Sequence, residues 1–303
     1  MRTAAVVVAW REPEVTLEAL RSLAAMAPAA DHLVCVVQEL DDGELRDFRA
    51  AAPAGVEVIA WAANLGFCTA ANAAVERAVS LGADWVLLVN NDATVTPDCL
   101  SRSLAEARSD PDIAVVGPAV AFSAAPEKLW FAGGVHSHRF GFTRHRRLRG
   151  SVGAVPGSSD TDYVPGCCAL ISAAAWRDVG PFREDYFAYY EDAEWASRAK
   201  ARGWRLRFLG EVLCHHAVGV SSKQTGSLGL SENTAYYLAR NPLRFALDTR
   251  DVALRASRVL GLMTVWNAYN LTRLVRARRR SVASAYARGL LDAAAGRMGP
   301  RPT

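Results

Sequence analysis

The sequence predicts an α/β fold: a mostly parallel, Rossmann-like sheet with helices on both faces, followed by a helical C-terminal extension. Three observations carry this. Short, near-continuous apolar runs alternate with amphipathic stretches through the first 117 residues. Strands of a parallel sheet covered on both faces read as unbroken apolar runs, because neither side meets water. From Ser231 onward the pattern is helical throughout. The chain has 303 residues, of which 51% are hydrophobic and 22% charged, enough to bury one large core or two small ones.

The elements follow in order. Residues 6–10 form an apolar strand, and 16–26 a helix with Leu17, Leu20 and Leu23 on one side. Strands are expected at 33–37 and 56–61, an Ala-rich helix at 69–81 and a fourth strand at 85–89. A helix over 97–108 has Thr96 as its N-cap and Pro97 in its first turn. A strand at 113–116 follows, and the pattern breaks after Gly117. Residues 123–160 are rich in Gly, Ser and Arg without a clear period, which predicts an irregular insertion with short strands. Order returns at 163–172, with helices at 173–178 and 191–202 and short strands at 206–209 and 212–214. The expected division is 1–117, 118–225 and a helical 226–303.

Composition narrows the function. The net charge of +4 is too mild to argue for nucleic acid, and no aromatic platform accompanies the basic run at Arg139–Arg149; a second basic run lies at Arg273–Arg280. Six scattered cysteines without a C-x-x-C pair predict buried free thiols rather than a zinc site. No secretory signal is visible, and no stretch reaches the roughly 18 apolar residues of a membrane span. A cytoplasmic protein is expected. The segment 259–271, apolar and followed by arginines, reads as a peripheral membrane contact or as a helix packed on the main domain.

The chemistry concentrates in two acidic signals. Val86-Leu87-Leu88-Val89-Asn90-Asn91-Asp92 ends an apolar strand in a carboxylate beside amides. Ligands of open α/β sheets bind outside strand carboxyl ends, where Asp92 offers hard oxygens to a divalent cation. The other reading is a strand-ending turn. Tyr189-Tyr190-Glu191-Asp192-Ala193-Glu194-Trp195 boxes carboxylates between aromatic rings, which raises their proton affinity toward that of a general base. The other reading is a helix-capping acid with a Glu194–Arg198 pair. Asn64-Leu65-Gly66-Phe67 reads as a backbone approach to a ligand or as an ordinary turn. Pro165-Gly166-Cys167 reads as a pocket wall or a packed turn. Of His215 and His216, at most one faces a given site.

Taken in order, these segments resemble the family-2 glycosyltransferases of the GT-A fold, in particular their bacterial rhamnosyltransferase-like branch. The matching residues are Asn64-Leu65-Gly66-Phe67 with Asn72, Leu87 to Asp92, Gly166, Val179-Gly180-Pro181-Phe182, Phe187 to Asp192, Arg198 with Gly203, and His216 through Gly219 to Ser221. The resemblance covers about residues 4 to 225. It implies a nucleoside-diphosphate sugar donor held by Ala9, Trp10, Gln38, Asn64, Gly66, Asn72, Asn90, Asn91 and Gly166. It implies Asp92 and His216 as ligands of Mg²⁺ or Mn²⁺, and Asp192 as the base of an inverting displacement, with Glu191 its neighbour in the catalytic pair. The acceptor would carry a hydroxyl.

Some positions depart from the family pattern. Gln38 stands where an Asp is common, Trp10-Arg11 replace a Tyr-Asn, Arg183 takes the place of an Asp before Glu184, and Glu194 that of a second acid. A catalytically silent module that binds a sugar nucleotide or a glycan, and a nucleotidyltransferase of related fold, are the alternatives. The latter is disfavoured by the glycine-free loop Trp10–Glu14.

Overall fold

The computed structural model describes residues 1–137, 140–218, 230–249 and 252–302. At its centre lies a ten-stranded mixed sheet. The parallel part forms from β1 (Thr3–Trp10), β2 (His32–Gln38), β3 (Val56–Trp61) and β4 (Trp85–Asn90), in the order β3-β2-β1-β4. β1 is buried over all but its last residue, which is why it reads as an uninterrupted apolar run. The connecting helices are α1 (Pro13–Ala24), α2 (Asp42–Ala51) and α3 (Phe67–Ser80). α1 buries Leu17, Leu20 and Leu23 as expected. α2 escapes sequence reading because Phe48 is its one buried residue. A capping box between Asp41 and Glu44 holds its start.

The chain runs from β1 outward to β2 and β3, then returns to the other side of β1 as β4. A crevice must open where the connections diverge, outside the carboxyl ends of β1 and β4. Trp10 and Asn90 are those ends.

The rest of the sheet is mixed. After β5 (Ala93–Val95) and α4 (Cys99–Ala107) come β6 (Ile113–Phe122), β7 (Ala125–Phe131), β8 (Gly134–His136), β9 (Thr143–His145), β10 (Ser159–Asp160) and β11 (Cys168–Ser172), of which β8 and β9 pair with each other as a separate two-stranded sheet. β11 runs antiparallel between β4 and β6. Helices α5 (Ala173–Val179) and α6 (Glu191–Ala201) precede β12 (Arg205–His216), which lies parallel to β6. The two short strands expected near 206–214 are one strand with register shifts. Gly210 sits in that irregular stretch, where a Cβ would strike the Pro156 carbonyl. α4 starts two residues later than expected and Thr96 does not cap it, since its hydroxyl bonds Asp98 instead.

The C-terminal region is helical as predicted: α7 (Glu232–Leu247), α8 (Val252–Gly261), a wider i→i+5 turn (Leu262–Asn267), α9 (Ala268–Arg276) and α10 (Arg280–Ala294). Ser231 caps α7 through the Thr234 N–H. α7 and α10 share an apolar core of Ala235, Ala239, Leu243, Tyr286 and Leu290. Gly289 lets α10 touch the backbone of Tyr236. All six cysteines are buried and free. Among the described residues no helix is long and apolar enough to cross a membrane.

Candidate active site

A cleft of about 1020 Å³ opens where the topology requires it. Its lining includes Val8, Trp10, Gln38, Asn64, Asn90, Asn91, Asp92, Gly166, Glu191, Asp192 and His216. The two acidic signals, far apart in sequence, thus face one space.

At the ends of β1 and β2, side chains are tied by hydrogen bonds across neighbouring strands. Gln38 Oε1 accepts the Leu65 N–H at 2.8 Å. Asn64 Oδ1 accepts the Gly66 N–H at 2.9 Å. Glu39, which the sequence did not single out, joins three partners. It accepts from the Trp10 indole at 2.8 Å and from the Asn64 N–H at 3.3 Å, and pairs with Arg11 at 3.0 Å. The Trp10 hydrogen bond, ahead of the others, holds its carboxyl below the usual range.

Three expected donor-binding residues sit elsewhere. Ala9 is buried and off the lining, because consecutive strand residues face opposite ways and its neighbours Val8 and Trp10 take the cleft side. Asn72 donates to the Phe182 carbonyl at 2.9 Å and to Glu184 at 3.2 Å, and accepts the Phe182 N–H at 2.9 Å. Its amide is thus committed to the 180–184 turn. Gly66 admits protein rather than ligand backbone. A Cβ there would lie 2.7 Å from Phe187, whose carbonyl accepts the Cys68 N–H.

At the end of β4, Asp92 meets His216. β12 pairs antiparallel with β5, placing His216 opposite Ala93. Asp92 Oδ1 lies 2.9 Å from His216 Nε2, and both side chains are more than nine-tenths buried. His215, one strand position earlier, is off the lining. Gly219 and Ser221, which complete the late histidine motif, lie outside the described residues, as does Arg139. Trp130 packs edge-on against His216 and His145, with centroids 4.6 and 4.4 Å away. His145 Nδ1 bonds the Trp130 carbonyl at 2.9 Å, and burial pushes its pKa down to about 4. Trp130 and His145 come from the 123–160 insertion, whose lack of period hid them.

The resemblance implies a divalent cation at the Asp92–His216 pair. Among the described residues, no group of three or more His, Cys, Asp and Glu is placed to hold a metal. A carboxylate oxygen beside an imidazole nitrogen does suit Mn²⁺ or Mg²⁺ bound by few protein ligands and completed by phosphate oxygens and water. Among the described residues His216 Nδ1 is buried without a partner, so nothing there fixes the tautomer of the ring whose Nε2 faces Asp92.

The second acidic signal heads α6, whose first turn contains Glu191, Asp192 and Glu194. Phe187, Tyr189 and Tyr190 approach it with φ of 67°, 69° and 75°, conformations that cost non-glycine residues roughly 1–3 kcal/mol each. α7 holds this turn from outside. The Asn241 amide nitrogen donates to the carbonyls of Tyr186, Ala188 and Tyr189 at 3.1, 2.8 and 2.6 Å. Arg240, fully buried, donates to Tyr186 O at 2.8 Å and to Asp185 O at 3.2 Å. On α6, Arg198 pairs with Glu194 at 2.9 Å and donates to Val179 O and Pro181 O. The expected i,i+4 pair is therefore present, but it braces a turn instead of decorating a solvated face.

Asp192 is half-buried at the cleft and Glu191 is buried. Burial pushes Asp192 up to about 6 against backbone N–H groups that favour its charge, chiefly those of Ala193 and Gly166. Behind it a void of about 10 Å³ is lined by apolar Val115, Val164, Ile171, Phe182 and Trp195, among others. Burial, then the charge of Asp192, pushes Glu191 up to about 8, and its Oε2 has no partner among the described residues. The aromatic box thus leaves one carboxylate able to accept a proton near neutrality beside one that keeps its own. Phe187, Tyr189, Ser231, Thr234 and Tyr237, with Pro300 to Pro302, also line the cleft. The sequence did not assign them to the site.

Known proteins resemble this chain in sequence and in fold. The family described as "Glycosyltransferase like family 2" matches residues 1–234. An N-acetylglucosaminyl-diphospho-decaprenol L-rhamnosyltransferase of Mycobacterium tuberculosis is 27% identical over 224 residues, covering 63% of this chain and 72% of that protein. Galactofuranosyltransferase GlfT1 of Mycolicibacterium smegmatis is 27% identical over 173 residues, covering 57% and 55%. The fold is shared with mannosyltransferase PcManGT from Pyrobaculum calidifontis, solved with GDP-Man and Mn²⁺ (TM-score 0.59, 17% identity, 97% of this chain and 75% of that one). It is also shared with Staphylococcus aureus TarS in complex with UDP-GlcNAc (TM-score 0.54, 14% identity, 98% and 93%). The fold is therefore GT-A, and the chain belongs to glycosyltransferase family 2.

Proposed function

We propose that this protein is an inverting glycosyltransferase that moves a sugar from a nucleoside diphosphate to an acceptor hydroxyl. dTDP-rhamnose is the first expectation for the donor and a UDP-hexose the second. The observation that carries the reading is the shared cleft of Asp92 and Asp192, with Asp192 poised to take a proton near neutral pH.

In this reading residues 1–117 hold the nucleotide, 118–225 face the acceptor, and 226–303 form the helical extension that walls the acceptor side. Gln38 Oε1 is taken by the Leu65 N–H, so the side chain offers its NH₂ group to the cleft. An amide donor matches the carbonyl oxygens of thymine or uracil. Asp92 and His216 would hold the divalent cation, which when bound neutralises charge on the diphosphate. Asp192 takes the acceptor's hydroxyl proton as the new O–C1 bond forms. The C1–O bond to the diphosphate breaks opposite it, and the leaving group departs with the bonding pair. Protonated Glu191 keeps a second negative charge away from Asp192 until the proton arrives.

The M. tuberculosis relative is named for an acceptor that carries a diphosphate and a lipid. That supports a lipid-linked acceptor here, and with it a peripheral membrane contact at the inner face of the plasma membrane through the C-terminal helices.

The test is Asp192→Asn. Transfer should fall by roughly 10³-fold, while the thermal shift given by nucleoside diphosphates with Mn²⁺ should stay within about 1 °C of wild type, since bound ligand stabilises by mass action. Equal loss of both would reject the base assignment. A panel of nucleoside diphosphates in which none shifts the melting temperature would reject the donor class.

A further inference from the structure

We infer that the exposed face of the 252–276 helical segment docks on an anionic lipid bilayer. This deepens the membrane contact proposed above and rests on that reading only for where the acceptor lies. Among the described residues, eleven large apolar side chains are exposed, and six of them fall between Val252 and Val275. They are Val252, Leu260, Met263, Val265, Tyr269 and Val275, at 41–67% exposure. Such a patch on one helical segment is a contact surface rather than scattered exposure.

Charge selects the occupant. Residues 252–291 contain eight arginines and no Asp, Glu or Lys. Arg273, Arg276, Arg278 and Arg280 are exposed, and none pairs with a carboxylate among the described residues. Arg273 lies over the Tyr269 ring at 5.3 Å. Aliphatic and aromatic side chains beside unpaired arginines suit the headgroup and acyl boundary of an anionic membrane. A nucleic acid would use the arginines and leave Leu260, Met263 and Val265 in water. A second copy would meet the same positive charge. The segment is not apolar enough to span a bilayer, so it lies along one.

The opposite face of the segment is fixed to the catalytic side. Arg258 donates to Thr249 at 2.9 Å and lies over the Phe245 ring. Phe142 stacks on Trp266 with centroids 5.6 Å apart. Gly141 packs on Arg258 and Leu262, and its carbonyl accepts the Tyr190 hydroxyl at 2.7 Å. Tyr190 immediately precedes Glu191 and Asp192. Docking through the outer face therefore sets this edge of the cleft beside the lipid surface.

The experiment is flotation of the full chain with phosphatidylcholine vesicles, with and without phosphatidylglycerol, at low and high salt. The protein should float with the anionic vesicles at low salt and be released by high salt. Arg276→Ala with Arg278→Ala should weaken partition about thirtyfold, since each arginine near the surface contributes about fivefold. Leu260→Glu with Val265→Glu should abolish flotation while leaving the circular dichroism spectrum and the nucleotide-induced thermal shift unchanged. Flotation independent of phosphatidylglycerol, or unaffected by either double variant, would overturn the inference. So would a dimer in light scattering that only the Leu260 and Val265 variant dissolves, or RNA binding lost in the arginine variant without flotation. Failure of transfer with flotation intact would count against the enzyme reading alone.

Discussion

The donor end of the cleft and the turn before α6 carry similar backbone strain but are held differently. Arg11, Glu12 and Glu39 have φ of 55°, 50° and 57°, close to the values at Phe187, Tyr189 and Tyr190. At the donor end the restraint is the Glu39 carboxylate, partly exposed, gathering Trp10, Arg11 and the Asn64 backbone. At the turn the restraint is buried: Arg240 and Asn241 reach carbonyls about fifty residues upstream. A solvated carboxylate can release one partner and bind a ligand. A buried amide cannot leave its carbonyls without desolvation costs of about 1–3 kcal/mol each. Under the proposed function, the difference teaches that the nucleotide side is arranged to adapt, whereas the base is held in one position.

The comparison can be broken most severely at Asn241. Asn241→Leu takes the side-chain donor from the Ala188 and Tyr189 carbonyls of the strained turn and leaves Tyr186 O to Arg240. The melting temperature should drop by about 5 °C or more, and transfer should fall roughly a hundredfold as the base loses its position. Donor affinity, read by the nucleotide thermal shift, should change less than about threefold. An unchanged melting temperature would mean that the turn holds itself.

The pH response sharpens the same contrast. Transfer, measured as kcat/KM, should rise as pH increases through about 6, because Asp192 must be ionised to accept a proton. Glu191 has an ordinary value of 4.5 and a folded value of about 8. The folded chain therefore holds this proton more tightly than the unfolded one. Stability from this group is fully present below about 4.5 and is lost as pH rises through 8. Glu191→Gln should gain melting temperature over wild type between pH 5 and 9, seen by differential scanning calorimetry. Tyr163, Tyr190 and Cys68, which surround the pair, are pushed up by burial and stay protonated over this range. A gap constant with pH would place the proton elsewhere.

The smallest effect belongs to the donor end. Gln38→Ala should weaken nucleoside-diphosphate binding about tenfold by removing one hydrogen-bonding amide, with a melting temperature within about 2 °C of wild type. A larger stability loss than at Asn241 would reverse the comparison.

The parallel strands were legible because burial on both faces writes itself as apolar runs, and β3 spans Val56–Trp61 as read. Asp92, Asp192 and His216, which line one cleft, stood out because acids and histidines at strand and helix ends are chemically conspicuous. Glu39 was passed over because its three partners come from other strand ends, and nothing in its local pattern shows them. Trp130 and His145 were passed over because the insertion has no period. Asn72 was assigned to ligand because an amide inside a helix carries no sign of the Phe182 backbone it serves.

By itself, then, the sequence determined the alternation of strands and helices, the helical extension, the family, and the identity of the two acids. Those follow from side-chain polarity at fixed spacings along the chain. Only the tertiary structure decided which residues face the cleft, which histidine meets Asp92, and what holds the turn before α6. It also decided that the outer face of 252–276 stays exposed while its inner face packs on the catalytic side. Each of these depends on groups remote in sequence sharing a small volume, where burial and hydrogen bonding set charge and position, and no local pattern along the chain encodes such encounters.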